Sequence, residues 1–157
     1  RKLLSALISK PLIQLEAPRA DDVALLWRFR TFLVKDASAL VPFMMCVDWH
    51  NRAEAAEAER LLLRWKSPSL EDALVCVSYV FRDATELRKF AVDRLSREPV
   101  SRLLMFALQL VQGMRYDSPA EELTGLLFKG STENWSLCSQ VFWFMTVEVC
   151  IESEAAA

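Results

Sequence analysis

The chain has 157 residues, of which 53% are hydrophobic and 25% charged, a composition typical of a globular protein and not of a disordered one. Its 19 basic and 21 acidic residues leave a formal net charge of −2, which gives no electrostatic case for nucleic acid as a partner. Three glycines and six prolines are too few for the turns of a many-stranded β fold, whereas strong helix formers are abundant. The composition therefore predicts an all-α chain, long enough for one substantial core.

Residues 1–19 are predicted to be a linker arm that lies on the domain. Four apolar residues give the arm one or two amphipathic turns, and two prolines interrupt it (Leu3, Leu4, Leu7 and Ile8; Pro11 and Pro18). Because the chain opens on Arg1 and not on methionine, we expect it to be a segment of something longer.

The first firm helix is predicted to begin after Asp21, whose carboxylate can cap the free amides. Its expected inward stripe follows 3.6-residue spacing and comprises Leu25, Phe29, Phe32 and Leu33. Asp36 or Ser38 is expected to cap the next helix, which runs to about Val47.

Three further helix starts carry cap signals. Asn51 with Glu54 has the spacing of a capping box and opens a helix that ends near Trp65. Ser69 with Asp72 caps a short helix. Asp83 with Glu86 repeats the pattern and opens a helix over 84–96.

The stretch 101–116, SRLLMFALQLVQGMRY, is predicted to be a central helix packed on both flanks. Its apolar residues fall on nearly every face of the helix, whereas a helix with one solvent-exposed face carries its apolar residues in a narrower stripe along the opposite face. Two glutamines and two arginines within the stretch exclude a membrane span.

The last two helices are predicted at 119–130 and 135–151. Ser118, Pro119 and Glu121 supply the start of the first, and Gly130 is expected to end it with a left-handed cap. Residues 153–157 are expected to be a tail.

The predicted helices start about every 16 residues, so a pair of helices repeats at roughly 32 to 34 residues. This spacing is typical of stacked helix pairs. We therefore predict a right-handed α-α superhelix of about eight helices, with one domain over residues 20–152.

Several motifs, in one order along residues 20–152, resemble the helical accessory domain of phosphatidylinositol kinases. The run Glu71–Leu74 with Leu87–Leu95 is similar to the family's EDALELLS and VRRYAVxRL core. Leu108–Gln112, followed by Arg115–Asp117, is similar to LLQLVQALKYE, although Gly113 stands where alanine is usual. The remaining matches are Leu26–Arg30, Cys46–Trp49, Leu61, Leu62, Trp65, Asn134, Leu137, Phe142–Phe144 and Glu148.

The opening motifs look most like class III of the phosphatidylinositol 3-kinases, which implies a scaffold domain without catalytic, cofactor-binding or metal-binding residues. The parent of such a domain would phosphorylate the 3-hydroxyl of phosphatidylinositol, with ATP and a divalent metal bound in a separate kinase domain. The resemblance also implies a cytoplasmic parent on endosomal or autophagic membranes, contacts with its other domains, and regulatory subunits. The alternatives are a 4-kinase helical domain and a free-standing α-solenoid adaptor.

Other candidate sites have plainer interpretations. Cys46, Asp48 and His50 could form a nucleophilic site or part of a metal-binding site. A lone histidine at a helix start, however, is usually structural. Glu71 and Asp72 could be an acid–base pair, yet their place in a first helical turn favours capping. A group of cations could bind an acidic partner, although interleaved acids favour a solvated face; its members are Arg88, Lys89, Arg94, Arg97 and Arg102. Arg88 and Arg94 could also tie adjacent helices by bonding to carboxylates or to helix-end carbonyl groups.

Buried, structural roles are predicted for most other polar and aromatic candidates. The four cysteines are expected to be reduced, buried thiols of a cytosolic protein. Four tryptophans are expected to pack between helices in the core, and two glutamines are expected to have buried side-chain amides. These residues are Cys46, Cys76, Cys138 and Cys150; Trp27, Trp49, Trp65 and Trp143; and Gln109 and Gln112.

Overall fold

A computed structural model describes residues 19–117 and 122–155, with side chains as far as residue 151. In these ranges every regular element is a helix and there is no strand, so the prediction of an all-α chain is confirmed. Right-handed superhelical stacking stays a prediction. Residues 19–117 and 122–155 contain nine α-helices, which are α1 (Ala20–Leu33), α2 (Leu40–Met44), α3 (Arg52–Leu62), α4 (Leu70–Cys76), α5 (Thr85–Leu95), α6 (Val100–Met105), α7 (Ala107–Met114), α8 (Glu122–Glu133) and α9 (Trp135–Ala155). Short 3₁₀ helices cover Ala37–Ala39 and Tyr79–Phe81.

Three predicted caps are confirmed, because each depends only on neighbouring residues. The Asp36 carboxylate accepts from the amide of Ser38 at 3.1 Å, and a 3₁₀ turn leads into α2. Asn51 Oδ1 accepts from the amide of Ala53 at 3.1 Å at the start of α3. Ser69 Oγ accepts from the Asp72 amide at 3.1 Å and donates to the Asp72 carboxylate at 2.9 Å before α4.

Two other predicted caps are wrong. Helix α1 begins one residue before Asp21, so this carboxylate lies in the first turn and interacts with the helix dipole there. Asp83 forms an ion pair with Arg82, and α5 starts without a side-chain cap. The predicted linker arm, apart from residue 19, and the Ser118–Glu121 signal lie outside the described residues.

The structure divides into two compact units, residues 1–72 and 73–157. The core of the first unit is a row of three aromatic rings on α1, α2 and the turn after α3. The Trp27 and Phe43 ring centroids lie 5.3 Å apart, and those of Phe43 and Trp65 lie 5.4 Å apart. Both indole groups donate to carbonyl oxygens at 3.2 Å, Trp27 to Cys46 and Trp65 to Asp36. These bonds satisfy the polar atoms that burial would otherwise leave without a partner.

The core of the second unit consists of aliphatic side chains from four helices. Helix α9 packs against α7 and α8, and α5 packs against α8. The inward positions follow helical spacing and are mostly leucines. Among the buried residues are Leu87, Ala91 and Leu95 of α5, Leu110 and Val111 of α7, Leu123 and Leu127 of α8, and Leu137 and Val141 of α9.

The predicted central helix is interrupted and is open on one side. Phe106 adopts φ −120° and ψ 17°, which ends α6 and starts α7. Leu103, Ala107 and Leu110 lie in the core, whereas Met105 is 72% exposed. The prediction of one helix covered on both flanks is therefore wrong, because neighbouring helices of the described chain cover one stripe only.

The outward face of α1 also differs from the prediction. Phe29 and Phe32 were expected to face inward, but both are exposed, and Leu26 is buried with Leu33 instead. On α9, Phe142 and Val149 are exposed. No helix within 19–117 and 122–155 combines the length and apolar character that crossing a membrane requires.

Two glycines allow helices to approach closely. A Cβ at Gly130 would lie 2.8 Å from the Leu137 side chain, and Gly130 lies inside α8, so its predicted role as the left-handed end of that helix is wrong. A Cβ at Gly113 would lie 2.9 Å from the carbonyl oxygen of Val77 and 3.0 Å from the Leu123 side chain. Glycine at 113 therefore reflects packing, although it also lowers helix propensity.

We expect Leu110→Asp to unfold the second unit, because Leu110 is fully buried and an unpaired carboxylate there costs several kcal/mol. Thermal denaturation followed by circular dichroism measures the effect. Met105→Asp, on the exposed side of α6, is the matched control and should leave the melting temperature nearly unchanged. Equal melting of Leu110→Asp and the wild type would contradict the assigned core.

Candidate functional site

The one buried cation that the described residues contain is Arg88 of α5, which is 3% exposed. Its Nη1 donates to the carbonyl oxygen of Val77 at 2.6 Å and to that of Ser78 at 3.3 Å. Its Nη2 donates to the carbonyl oxygen of Gly113 at 2.9 Å. A single guanidinium therefore joins three segments of the second unit: α5, the turn after α4, and the last turn of α7.

The partners of Arg88 are the ends of two helices. Helix α4 ends at Cys76, directly before Val77, and α7 ends at Met114, directly after Gly113. Helix ends of this kind carry partial negative charge on their unsatisfied carbonyl groups, which stabilises a nearby cation. The flat fork of arginine donors can reach both ends at once, whereas a lysine ammonium is a single point.

Burial lowers the pKa of the Arg88 guanidinium from its ordinary value, because the charged form loses hydration. The carboxylate of Asp117 and the neighbouring Cys76 act in the opposite direction. Asp117 also accepts from the amide and the hydroxyl of Thr124, each at 2.8 Å, and so holds the first turn of α8. The sequence offered a bond from Arg88 to helix-end carbonyl groups as an alternative to a solvated face, and the structure confirms that bond. The burial of this side chain was not predicted.

Cys46, Asp48 and His50 do not have the properties of a nucleophilic site. Burial, and secondarily the charge of Asp22, raises the pKa of the Cys46 thiol to about 11, so the reactive thiolate is disfavoured. The thiol donates to the carbonyl oxygen of Pro42 at 3.3 Å. His50 and Asp48 are exposed and form a pair at 3.6 Å.

Glu71 and Asp72 lie in the first turn of α4, where Asp72 bonds to Ser69. Burial raises the pKa of the Asp72 carboxyl, and its hydrogen bonds from Ser69 act against that rise. This geometry favours the capping role. In the described part of the chain, no group of three or more His, Cys, Asp or Glu side chains is placed to hold a metal ion.

The predicted cluster of cations is a mixed-charge surface. Lys89 pairs with Glu86 at 2.8 Å, and Arg97 pairs with Asp93. Glu98 binds two arginines, Arg94 at 2.7 Å and Arg102 at 3.5 Å. Because each of these four cations has an acidic neighbour, the arrangement favours the solvated-face interpretation over a site for acidic ligands.

The other predicted buried groups have mixed outcomes. Trp65 is buried, and Trp27 and Trp49 are half-buried, whereas Trp143 is exposed. Both glutamines are exposed, so the prediction of buried amides is wrong. None of the four cysteines forms a disulfide, but Cys138 is only half-buried and Cys150 is exposed.

Helix α9 has a fixed inner side and an apolar outer side. On the inner side, the Glu148 carboxylate accepts from Gln112 at 3.0 Å and from Arg115 at 2.8 Å, which ties α9 to α7 and the residue after it. The outer side carries large apolar groups at helical spacing, and one pair of rings, Phe142 and Trp143, meets edge to face at 5.5 Å. The exposed members are Trp135, Phe142, Trp143, Val147, Val149 and Ile151.

The model of the phosphoinositide 3-kinase family accessory domain (PIK domain) matches residues 1–157. The chain belongs to this family. Its matched part is an accessory domain, and the predicted resemblance is confirmed.

Similar full-length proteins are phosphatidylinositol 3-kinases. The nodule isoform of Glycine max and the VPS34 enzyme of Arabidopsis thaliana are each 35% identical over 130 residues, which cover 82% of this chain and 16% of the relative. The pik3 enzyme of Schizosaccharomyces pombe is 30% identical over 157 residues, which cover 95% of this chain and 19% of the relative. The chain therefore spans less than a fifth of the length of these relatives.

We expect Arg88→Met to lower the free energy of unfolding by about 3 kcal/mol, because hydrogen bonds from a charged donor are each worth about 1.5–3 kcal/mol. Arg88→Lys should recover little of this loss, since one ammonium cannot reach both helix ends. Chemical denaturation measures both. Arg97→Met, which removes an exposed ion pair, is the control and should change stability by less than about 1 kcal/mol. Equal denaturation midpoints for Arg88→Met and Arg97→Met would contradict a stabilising role for the hydrogen bonds of Arg88 to the two helix ends.

We expect Cys46 to react slowly with iodoacetamide, because its thiol has a pKa of about 11 in place of the ordinary 9.0. At pH 8 the thiolate fraction is then roughly 100-fold smaller than that of an ordinary thiol. Peptide mass spectrometry should show fast labelling of exposed Cys150 and slow labelling of Cys46. The stability that the protonated thiol contributes is fully present below pH 9 and is lost as the pH rises through about 11. Labelling of both thiols at the same rate would contradict this assignment.

Proposed function

We propose that the chain is a scaffold segment of a longer phosphatidylinositol 3-kinase of class III type. It would hold the membrane-binding and kinase domains of that protein in a fixed relation. The parent would transfer the γ-phosphoryl group of ATP to the 3-hydroxyl of phosphatidylinositol, in endosomal trafficking and autophagy. The names of the similar proteins and the small share of their length that the chain spans support this proposal.

The outer side of α9 is the observation that carries the scaffold role. Trp143, Val147 and Ile151 follow one another at four-residue spacing, so they form one row along the helix. Trp143 is 61% exposed, and Phe142 lies against it. With Trp135, the three exposed aromatic rings alone leave roughly 400 Å² of apolar surface open, which is as large as the largest patch on a typical monomer.

The chemistry of this side favours a protein surface as its occupant. From Trp135 to Ile151 the one charged residue is Glu148, which faces α7 and is bonded there. Without lysine or arginine on α9, an anionic lipid surface finds no charge complement. We therefore assign the outer side of α9 to another domain of the same longer protein.

The rest of the unit provides the stiffness that a scaffold needs. Helix α9 packs on α7 and α8 through fully buried Leu137 and nearly buried Val141, and Glu148 fixes its far end. Arg88 binds the same end of α7 at Gly113. A domain docked on α9 would thus be connected to α5 through rigid helices.

The test compares the 157-residue chain with the full-length protein by hydroxyl-radical footprinting. Phe142 and Trp143 should be oxidised readily in the 157-residue chain and be protected in the full-length protein. Trp143→Asp should leave the melting temperature of the 157-residue chain nearly unchanged, since the side chain is already exposed. In the full-length protein it should lower the formation of phosphatidylinositol 3-phosphate on phosphatidylinositol vesicles, because removal of a buried aromatic anchor costs about 2 kcal/mol or more.

Leu63→Asp is the matched control, because Leu63 is 88% exposed and lies directly after α3 in the first unit. It should change neither footprint nor lipid kinase activity. Oxidation of Phe142 and Trp143 to the same extent in both proteins would reject the docking of another domain on α9. Protection without any loss of activity in Trp143→Asp would reject the positioning role.

A further inference from the structure

The chain contains two tyrosines, and the structure places their rings in contact. The ring centroids of Tyr79 and Tyr116 lie 5.5 Å apart, and the rings meet edge to face at 64°. Tyr79 is 57% exposed, whereas Tyr116 is half-buried. Edge-to-face packing is a favoured arrangement of aromatic rings, but this pair is open to dissolved reagents on the side of Tyr79.

Local contacts hold both rings in place. Tyr79 begins the short 3₁₀ helix after α4, and the fully buried side chain of Phe81 anchors that helix in the core. The Arg82 guanidinium lies over the Tyr79 ring, 4.7 Å from its centroid. The amide of Tyr116 donates to the carbonyl oxygen of Gly113 at 3.1 Å. The two rings therefore extend from fixed backbone segments, and the fold itself maintains their contact.

Two phenol rings in contact can be joined by oxidation. A one-electron oxidant removes one electron and one proton from each phenol and leaves two phenoxyl radicals. The radicals combine through a carbon–carbon bond between the ring positions ortho to the oxygens. Each joined carbon then releases its proton and each oxygen takes one up, which restores both phenols. With hydrogen peroxide as the final electron acceptor, the two electrons and two protons that leave the rings form water.

The contact favours coupling within one chain. Radicals on separate molecules must meet by diffusion, whereas groups that are held together react as if at a very high local concentration. A radical on exposed Tyr79 has the second phenol beside it. Arg88 already joins the same two segments through the carbonyl groups of Ser78 and Gly113, so the new bond forms without separating the helix ends.

We propose that Tyr79 and Tyr116 are a site of oxidative modification, at which a one-electron oxidant and peroxide form a dityrosine cross-link. The bond covalently joins the 3₁₀ helix after α4 to the segment after α7. It stabilises the second unit, because a cross-link reduces the conformational freedom of the unfolded chain. This inference concerns a different surface from the outer side of α9 and does not depend on the scaffold role.

Treatment of the 157-residue chain with a haem peroxidase and hydrogen peroxide tests the cross-link. Exposed Cys150 is first blocked with iodoacetamide, so that its thiol does not reduce the radicals. Mass spectrometry of the monomer should show the peptides of Tyr79 and Tyr116 joined with the loss of two hydrogen atoms, together with dityrosine fluorescence. Dilution of the protein should not lower the yield in the monomer. Tyr79→Phe should abolish both signals, because Tyr116 then has no second phenol in its own chain.

Unfolding the chain before oxidation is the matched control. In urea the two rings are no longer held together, so the yield of cross-linked monomer should fall severalfold. The cross-linked chain should afterwards unfold at a higher urea concentration than the Tyr79→Phe chain treated in the same way. Absence of the joined peptides from the folded monomer, cross-links mainly between chains, or an equal yield in urea would overturn the proposed site. An unchanged urea midpoint would overturn the stabilising effect.

Discussion

The second unit depends on one buried positive charge being surrounded by backbone carbonyl groups. Burial of a guanidinium is costly unless its donors are satisfied. Here the ends of α4 and α7 supply acceptors for Nη1 and Nη2, and the helix dipoles direct partial negative charge at the same point. The buried Nε has no hydrogen-bond partner among the described residues. The separation of these helix ends is consequently set by the width of the Arg88 fork, and the packing of α5, α7 and α8 follows from it.

The arrangement of charged, thiol and apolar groups in the described residues is consistent with the membership of the chain in the phosphoinositide 3-kinase family. Apart from Arg88, the cations on α5 and α6 are paired with acids, and the Cys46 thiol is held protonated. What the described residues leave unmatched is apolar surface, on α9 in the second unit and on α1 in the first. Surfaces of this kind favour contacts within and between domains, which is the expected behaviour of an accessory domain.

Local features of the sequence predicted the helix starts well, because a cap such as Asn51 or Ser69 acts within three residues. Properties set by distant residues could not be predicted in the same way. The break at Phe106 has no proline or glycine beside it, and the carbonyl groups that bind Arg88 lie 11 and 25 residues away in sequence. Apolar periodicity alone also could not tell which of two apolar faces of α1 the first unit buries.

The close approach at Gly113 has a consequence for comparing members of the family. Alanine, the usual residue in the resembling motif, would be the better helix former at this position. In this chain its methyl group would meet the Val77 carbonyl oxygen, the same atom that accepts from Arg88. A consensus replacement that should strengthen α7 would instead displace an acceptor of the buried cation. A larger residue at position 113 would therefore require the backbone around Val77 to shift, so the two positions cannot be exchanged independently in this chain.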